Sequence, residues 1–238
     1  MLAFLDSGIG GLTVVKALRD LRPTADILYL ADTANAPYGT KSEEVLLPLL
    51  SHGIEMLLSK GAERVVLACI TASCLYDRLP KQLACRVIPI LPFVAEEIAA
   101  CNGHVGIIAT QATVHSAGLS RALFRCGYTR PIERSAAQPL VALAEAGKTS
   151  LADEGVKDAL ERAILPLLYR GVDTLVLGCT HFPYFEAAIH SLYGGLKILS
   201  PARIGSEALV RRLPPQMLGT EGRFVYLVSS YGGGGKKK

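Results

Sequence analysis

An internal repeat is the feature that most constrains the fold of this chain. Residues 57–71 read LLSKGAERVVLACIT, and residues 167–180 read LLYRGVDTLVLGCT. Each copy runs from a helix end through a glycine and an acidic residue into an apolar strand that leads to a cysteine. Copies this far apart do not form a solenoid, in which neighbouring units stack on one another. They predict two similar halves, with Cys69 and Cys179 each at the carboxyl end of a strand.

Short apolar runs recur along the chain and alternate with amphipathic segments. Because the runs show little polar alternation, we expect strands buried on both faces, as in parallel sheets covered by helices. The expected strands are AFLD, ILYLAD, RVVLAC, RVIPI, HVGIIAT, PIERSA, TLVLGC and LKILS. We predict an α/β fold of two pseudo-symmetric domains with parallel or mixed sheets and the active site between them. Residues 1–94 plus 204–238 would form the first domain, and residues 95–203 the second.

Composition and charge argue against several classes of function. The 238 residues carry a net charge of +4 and scattered basic residues, apart from the final KKK, so no nucleic-acid groove is predicted. No apolar run approaches the ~20 residues of a membrane span. The N-terminal MLAFLDSG lacks the basic start of a signal peptide, and the six cysteines form no CxxC pair of a zinc site. We expect reduced thiols in the cytoplasm and a disordered GGGGKKK tail.

Two cysteines related by the repeat indicate a specific chemistry. If the halves face each other, Cys69 and Cys179 flank one cleft and approach a bound carbon atom from opposite faces. One thiolate can then remove a proton while the other thiol delivers one from behind, which inverts the carbon. Nearby polar donors would lower a thiol pKa and stabilise the carbanion-like transition state. A disulfide between the two residues is the rival interpretation, and it fits a cytoplasmic chain poorly.

Several segments in one order resemble the glutamate racemases of the aspartate/glutamate racemase superfamily. They are FLDSGIGGLTV (4–14), ADTANAPYGTKS (31–42), LACITAS (67–73), IATQATVHS (108–116), PLVALAEAG (139–147) and LGCTHFP (177–183). The GCTH form points to glutamate racemases, since aspartate-specific relatives usually carry GCTE. The resemblance implies an isomerase that interconverts L- and D-glutamate without metal or other cofactor, and supplies D-glutamate for peptidoglycan. It also implies a homodimer.

The family motifs imply roles for individual residues of this chain. Cys69 would deprotonate D-glutamate and Cys179 would deprotonate L-glutamate, while Asp6 and His181 assist the two thiols. A carboxylate or imidazole beside a thiol can accept, relay or orient its proton, so the implied roles agree with the chemistry. The implied substrate-binding positions are Ser7, Pro37, Tyr38, Gly39, Ile70, Thr71, Thr110, Thr113, Glu145 and Thr180.

Two regions depart from the family pattern. The family reads Cys-Asn-Thr-Ala where this chain has Ile70 after the cysteine. An asparagine amide donates and accepts hydrogen bonds, whereas isoleucine does neither. Losing a contact to a charged group costs ~1.5–3 kcal/mol, or roughly ten- to a hundred-fold in rate, so we expect a weakened enzyme. After about residue 212 an expected final helix is replaced by GRFVYLVSSYGGGG.

Three alternatives stay open from the sequence. A dinucleotide-binding oxidoreductase is suggested by Gly8-x-Gly10 after the first strand and Asp32 after the second, although Thr13 occupies the third glycine position. A weakly active or non-catalytic relative would explain Ile70, although a non-catalytic one that binds a ligand or partner would need neither thiol. A racemase or isomerase of the superfamily that acts on a different, more apolar acid would keep both cysteines and suit Ile70.

Overall fold

A computed structural model describes residues 1–230 of the chain, so the expected GGGGKKK tail lies outside the described residues. The described strands form two sheets, and every strand pair in them is parallel. Sheet A has the order β4-β3-β1-β2-β9, with β1 Leu2–Asp6, β2 Ile27–Ala31, β3 Arg64–Leu67, β4 Val87–Pro89 and β9 Phe224–Val228. Sheet B has the order β6-β5-β7-β8, with β5 Val105–Ala109, β6 Glu133–Ala136, β7 Thr174–Gly178 and β8 Lys197–Leu199.

The pseudo-symmetry predicted from the repeat is confirmed by the strand orders. Strands β4-β3-β1-β2 of sheet A match β8-β7-β5-β6 of sheet B, position by position. The two copies of the repeat supply β3 and β7, each paired with the first strand of its own half. All eight strands expected from the apolar runs are present, so the α/β prediction is confirmed.

Helices connect the strands and cover the sheets. Those before sheet B are α1 Leu12–Leu21, α2 Glu43–Ser59, α3 Ile70–Ser73, α4 Lys81–Ala84 and α5 Leu91–Ala100. Those between its strands are α6 Gln111–His115, α7 Ala117–Arg125, α8 Gln138–Glu145, α9 Val156–Leu168 and α10 Glu186–Leu192, followed by α11 Pro201–Arg212 and α12 Pro215–Leu218. Short 3₁₀ turns lie at Thr33–Asn35, Tyr38–Thr40, Tyr76–Arg78 and Phe182–Phe185. No helix among residues 1–230 has the length and apolar character needed to cross a bilayer.

One apolar core joins the two halves. It contains Phe4 of β1, Ile107 of β5 and Leu119 of α7, together with buried residues of α1, α5 and α11. Helix α11 packs against both α1 and α5, which brings the chain back to the first half after sheet B. The predicted domain limits fall within α5 and α11, and they stay a prediction. The family-like final helix is absent from the described residues, where the short α12 and strand β9 follow α11.

Candidate active site

The two repeat cysteines lie at equivalent places, just beyond the carboxyl ends of β3 and β7. Cys69 precedes α3, and Cys179 follows the last residue of β7 directly. Within each parallel sheet all strands end at the same edge. Each thiol therefore lies at the carboxyl-end edge of its own sheet, which is where open α/β sheets bind ligands. Both are buried, and all six cysteines of the chain are free thiols. The rival interpretation of a disulfide pair is therefore wrong for this structure.

Cys179 begins a short chain of hydrogen bonds that links three side chains. Its Sγ lies 3.6 Å from His181 Nδ1, and His181 Nε2 lies 2.5 Å from Glu145 Oε1. Burial alone would lower the pKa of His181, but the hydrogen bonds to Cys179 and Glu145 outweigh it and raise the pKa to about 10. The hydrogen bond from His181 in turn lowers the pKa of Glu145. At neutral pH the arrangement holds an imidazolium between a carboxylate and the sulfur of Cys179.

Asp6 ends β1 in the first half, and its side chain is fully buried. Its carboxyl oxygens accept hydrogen bonds from the Gly8 amide and the Thr180 hydroxyl, both at 3.0 Å. Burial raises the pKa of Asp6. Burial, followed by the charges of Asp6 and Cys179, raises the pKa of Cys69 well above its usual value. Cys69 is therefore a protonated thiol at neutral pH, which suits it to deliver a proton.

Three threonines predicted to bind substrate form one buried cluster between the halves. Thr71 of the first half lies 2.9 Å from Thr110 and 3.0 Å from Thr113, measured between the hydroxyl oxygens. Thr110 and Thr113 of the second half are 3.0 Å apart, and the Thr110 hydroxyl also accepts from the Thr113 amide. In this structure the hydroxyls bind one another, so the cluster joins the two halves.

The turn Pro37-Tyr38-Gly39 is held in place by Asp32. The Tyr38 hydroxyl donates to Asp32 Oδ2 at 2.7 Å, and the Asn35 amide donates to the same carboxylate at 3.0 Å. Gly39 lies so close to the second half that an added Cβ would be 2.5 Å from the Thr110 Cβ. The turn therefore reaches across to α6, and a side chain at this position would separate them.

The dinucleotide-binding alternative is not favoured by the geometry of the glycine loop. An added Cβ would lie 2.6 Å from Glu145 Oε1 if built on Gly8, and 2.5 Å from Thr180 Oγ1 if built on Gly10. These glycines are required because the second half packs directly against the loop. Asp32, which would bind a ribose in that alternative, already accepts the hydrogen bonds from Tyr38 and Asn35.

A pocket of about 410 Å³ opens between the halves at this edge. The first half contributes Ser7, Gly8, Thr33, Ala36 and Pro37, and the second contributes Gln138, Val141, Ala142, Glu145 and His181. Of the residues predicted from the sequence, Ser7, Pro37, Glu145 and His181 thus line the pocket. Neither cysteine is on its wall, and both are buried. The threonine cluster and Asp6 are buried as well.

Comparison with known proteins places the chain in a family. Residues 13–209 match the family model described as Asp/Glu/Hydantoin racemase. The chain belongs to this racemase family. It is 38% identical over 195 residues to a glutamate racemase of Herpetosiphon aurantiacus, covering 81% of this chain and 76% of that protein. A glutamate racemase of Ectopseudomonas mendocina is 36% identical over 220 residues, covering 90% and 80%.

Solved structures of the racemase family share the fold. Glutamate racemase from Thermus thermophilus, in complex with beta-chloro-D-alanine, is 30% identical with a TM-score of 0.82. Glutamate racemase from Francisella tularensis, in complex with D-glutamate, is 26% identical with a TM-score of 0.86. In both comparisons 97% of this chain and 88% of the other chain are covered. The two-sheet architecture of this chain is therefore that of these racemases.

Ile70, the departure from the family pattern, does not line the pocket. Its side chain is 1% exposed and lies in the apolar core that joins the halves, with Cys74 and Ile90 among its members. Apolar packing thus occupies the position where the resemblance implies an amide. The predicted substrate contact at this position stays a prediction.

Gln138 is a pocket residue that the sequence analysis missed. Its Oε1 is buried and has no hydrogen-bond partner among residues 1–230. The same atom would be 2.9 Å from a Cβ built on Gly39, so Gln138 also faces the turn of the first half. Its position directly before the family-like motif PLVALAEAG was the available signal.

Proposed function

We propose that this chain is a glutamate racemase that interconverts L- and D-glutamate with Cys69 and Cys179 as its two bases and without a cofactor. The relatives and structures described above carry that name, and one of the structures holds D-glutamate. The observation that carries the mechanism is the hydrogen-bonded chain from Cys179 through His181 to Glu145, with the buried Cys69 in the other half. The family match together with the glutamate racemase relatives supports an amino-acid racemase, and so an isomerase.

The conversion of L- to D-glutamate begins at Cys179. The imidazolium of His181 stabilises the Cys179 thiolate, and the Glu145 carboxylate stabilises the imidazolium. The thiolate removes the Cα proton of L-glutamate, and the Cys69 thiol then donates its proton to the opposite face of the same carbon. Cys179 ends protonated and Cys69 ends as a thiolate, so the state that results is the one that removes a proton from D-glutamate.

Asp6 supports the Cys69 side of the reaction. Burial raises the pKa of Asp6, and the Thr180 hydroxyl fixes its orientation. The carboxylate form of Asp6 can receive a proton from Cys69, and the carboxylic acid that results can return it. Asp6 would thereby assist Cys69 as His181 assists Cys179.

The substrate carboxylates would be held from both halves. Ser7, Thr71 and Thr180 offer hydroxyl donors, and the backbone amides of Tyr38 and Gly39, after Pro37 in the turn, would add further donors. Because the Thr71 hydroxyl is bound within the threonine cluster, substrate contact there requires the cluster to exchange one hydrogen bond. We place the enzyme in the cytoplasm, where its D-glutamate would serve peptidoglycan synthesis and cell shape, and we propose a homodimer.

A second candidate is a racemase of the same family that acts on another acid. Ile70 favours it, because an apolar residue stands beside Cys69 where the family carries an amide. A non-catalytic relative is less well supported, since a binding protein needs neither a buried thiol pair nor the imidazolium beside Cys179. The cysteines are common to both racemase candidates, so the substrate distinguishes them.

The test is exchange and inversion of the amino acid in D2O. The protein is incubated separately with L-glutamate, D-glutamate and L-aspartate, and loss of the Cα–H signal is followed by NMR, with circular dichroism for inversion. We expect exchange and inversion of both glutamate enantiomers. Exchange of aspartate alone would favour the second candidate. No exchange of any of them by folded protein would overturn the proposed activity.

Cysteine variants test the two-base mechanism. Cys69→Ala and Cys179→Ala should each abolish inversion, because each removes one of the two proton-transfer groups. Cys126→Ala is the matched control, since this partly exposed thiol lies at the end of α7, away from the pocket residues. Full activity in either of the first two variants would exclude the two-base mechanism.

A further inference from the structure

Strand β9 gives sheet A an apolar, unprotected edge. Phe224, Val225, Tyr226 and Val228 are between 39% and 55% exposed, and the strand carries no charged residue. Among residues 1–230 it pairs with β2 on one side only and ends the sheet. Unpaired strands of this kind present free N–H and C=O groups to any other strand that can dock.

The other three edges of the described sheets are protected in the ways that natural proteins use. Strand β4 is three residues long and ends at Pro89, which lacks a backbone donor. Strand β6 carries Glu133 and Arg134, and the three-residue strand β8 begins at Lys197. Short strands, charges and proline all discourage edge-to-edge pairing. β9 has five residues and none of these protections, so its edge is open to pairing with another strand.

The free backbone groups of β9 belong to alternate residues. The Arg223 carbonyl accepts a hydrogen bond from the Ile27 amide, and the Ser229 amide donates one to the Ala31 carbonyl. Arg223 and Ser229 therefore direct their backbone groups towards β2. In a strand the direction alternates from one residue to the next. The N–H and C=O groups of Phe224, Tyr226 and Val228 therefore point away from the sheet.

The free groups match a second copy of β9 in one antiparallel register. With Tyr226 opposite its own copy, Phe224 lies opposite Val228, and all of these residues direct their backbone groups at the partner. Such pairs each exchange two hydrogen bonds. In this register aromatic and aliphatic side chains of one copy lie opposite those of the other. The flanking Arg223 of each copy lies opposite Ser229 of the other, so no like charges are paired.

The side chains of the edge are already held in place. The Tyr226 ring stacks on Tyr29 with centroids 5.5 Å apart and planes 5° apart. The Arg19 guanidinium lies 5.1 Å from the Phe224 ring centre. A surface that is ordered before docking loses less conformational entropy when a partner binds.

We propose that two copies of this chain associate through β9, in antiparallel register about Tyr226, and form one continuous ten-stranded sheet. The two-fold symmetry closes the assembly at a dimer, because each copy uses its single free apolar edge among the described sheets. The pairing does not depend on the proposed racemase activity. It assigns a surface to the homodimer that the family resemblance implies.

Charge variants at Tyr226 test the register. Tyr226→Lys and Tyr226→Glu each place like charges directly opposite across the two-fold axis, so light scattering after gel filtration should show monomers for each variant alone. An equimolar mixture should recover a dimer, because lysine then faces glutamate. Tyr169→Lys is the matched control, since it changes an 85% exposed tyrosine at the end of α9 in the other half. The control should dimerise as the unaltered protein does.

Amide hydrogen exchange of the unaltered protein gives a second measurement that needs no variant. The Phe224, Tyr226 and Val228 amides should exchange slowly in the dimer and speed up at least tenfold on dilution to monomer, while Val225 and Leu227 stay protected by β2. A monomer at about 100 μM would overturn the proposal. So would dimers of Tyr226→Lys with unaltered affinity, fast exchange of the three outward amides in a dimer, or open-ended higher oligomers.

Discussion

Replacing Glu145 by glutamine tests how the site keeps Cys179 reactive. The Glu145 carboxylate lies 2.5 Å from His181 Nε2, and glutamine keeps the shape of the side chain while removing its charge. The hydrogen bond then joins the imidazole to a neutral acceptor, so the imidazolium loses stabilisation. The His181 pKa should fall, and with it the ability of His181 to hold the Cys179 thiolate.

The expected magnitude follows from the hydrogen bond and its exposure. A hydrogen bond to a charged group contributes about 1.5–3 kcal/mol. The Glu145 side chain is 42% exposed, so solvent screening places the loss near the lower limit, about 1.5 kcal/mol. That corresponds to about tenfold in kcat/KM and to a His181 pKa lowered by about one unit. Both directions of racemisation should slow equally, because the equilibrium between enantiomers is fixed.

The assay is the pH profile of kcat/KM for L- and D-glutamate. His181 has a pKa raised to about 10, so its proton is present at neutral pH and is lost as the pH rises through that value. The alkaline decline should therefore start near pH 10 in the unaltered protein and about one unit lower in Glu145→Gln. Glu154→Gln, at an exposed carboxylate before α9, is the control. An unshifted alkaline limb with kcat/KM within twofold would refute the reasoning.

Three further predictions concern the packing around the site. Gly10→Ala should lower kcat/KM about a hundredfold, because the added Cβ would lie 2.5 Å from Thr180 Oγ1 and must displace it; normal kinetics would contradict this. Thr113→Val should lower the free energy of unfolding by about 1–3 kcal/mol in urea titrations, since it leaves buried hydroxyls such as that of Thr71 without a partner. Ile70→Asn should lower it by about 3 kcal/mol through an amide buried in the apolar core. A rise in kcat/KM for that last variant would support the predicted substrate contact, and an unchanged value would contradict it.

The sequence predicted the fold well because its signals are local. Buried parallel strands require continuous apolar runs, and the repeat placed two such runs before Cys69 and Cys179. The equal strand orders of the two sheets follow from that repeat. Strand β9 was not predicted, because an apolar run after residue 223 is ambiguous until β2 is known to have a free edge.

The candidate site was predicted less completely, because its contacts join segments far apart in the chain. Sequence motifs indicated His181 and Glu145 separately, but their hydrogen bond depends on how α8 packs against the turn after β7. Gln138 was missed because its buried oxygen, which has no partner among residues 1–230, is a property of the assembled cleft. For Ile70 the sequence predicted a lost substrate contact, which stays a prediction, and the structure places this residue in the core between the halves.

By itself the amino-acid sequence determined the alternation of strands and helices, the two similar halves and the position of a cysteine after a strand in each. Those properties depend on hydrophobic periodicity and strand length, which neighbouring residues specify. Only the tertiary structure decided which groups meet: the imidazolium between Cys179 and Glu145, the threonine cluster between the halves, and the free edge of β9. Hydrogen bonds and burial act over a few ångströms in space, so residues distant in sequence acquire their chemistry only when the chain has folded.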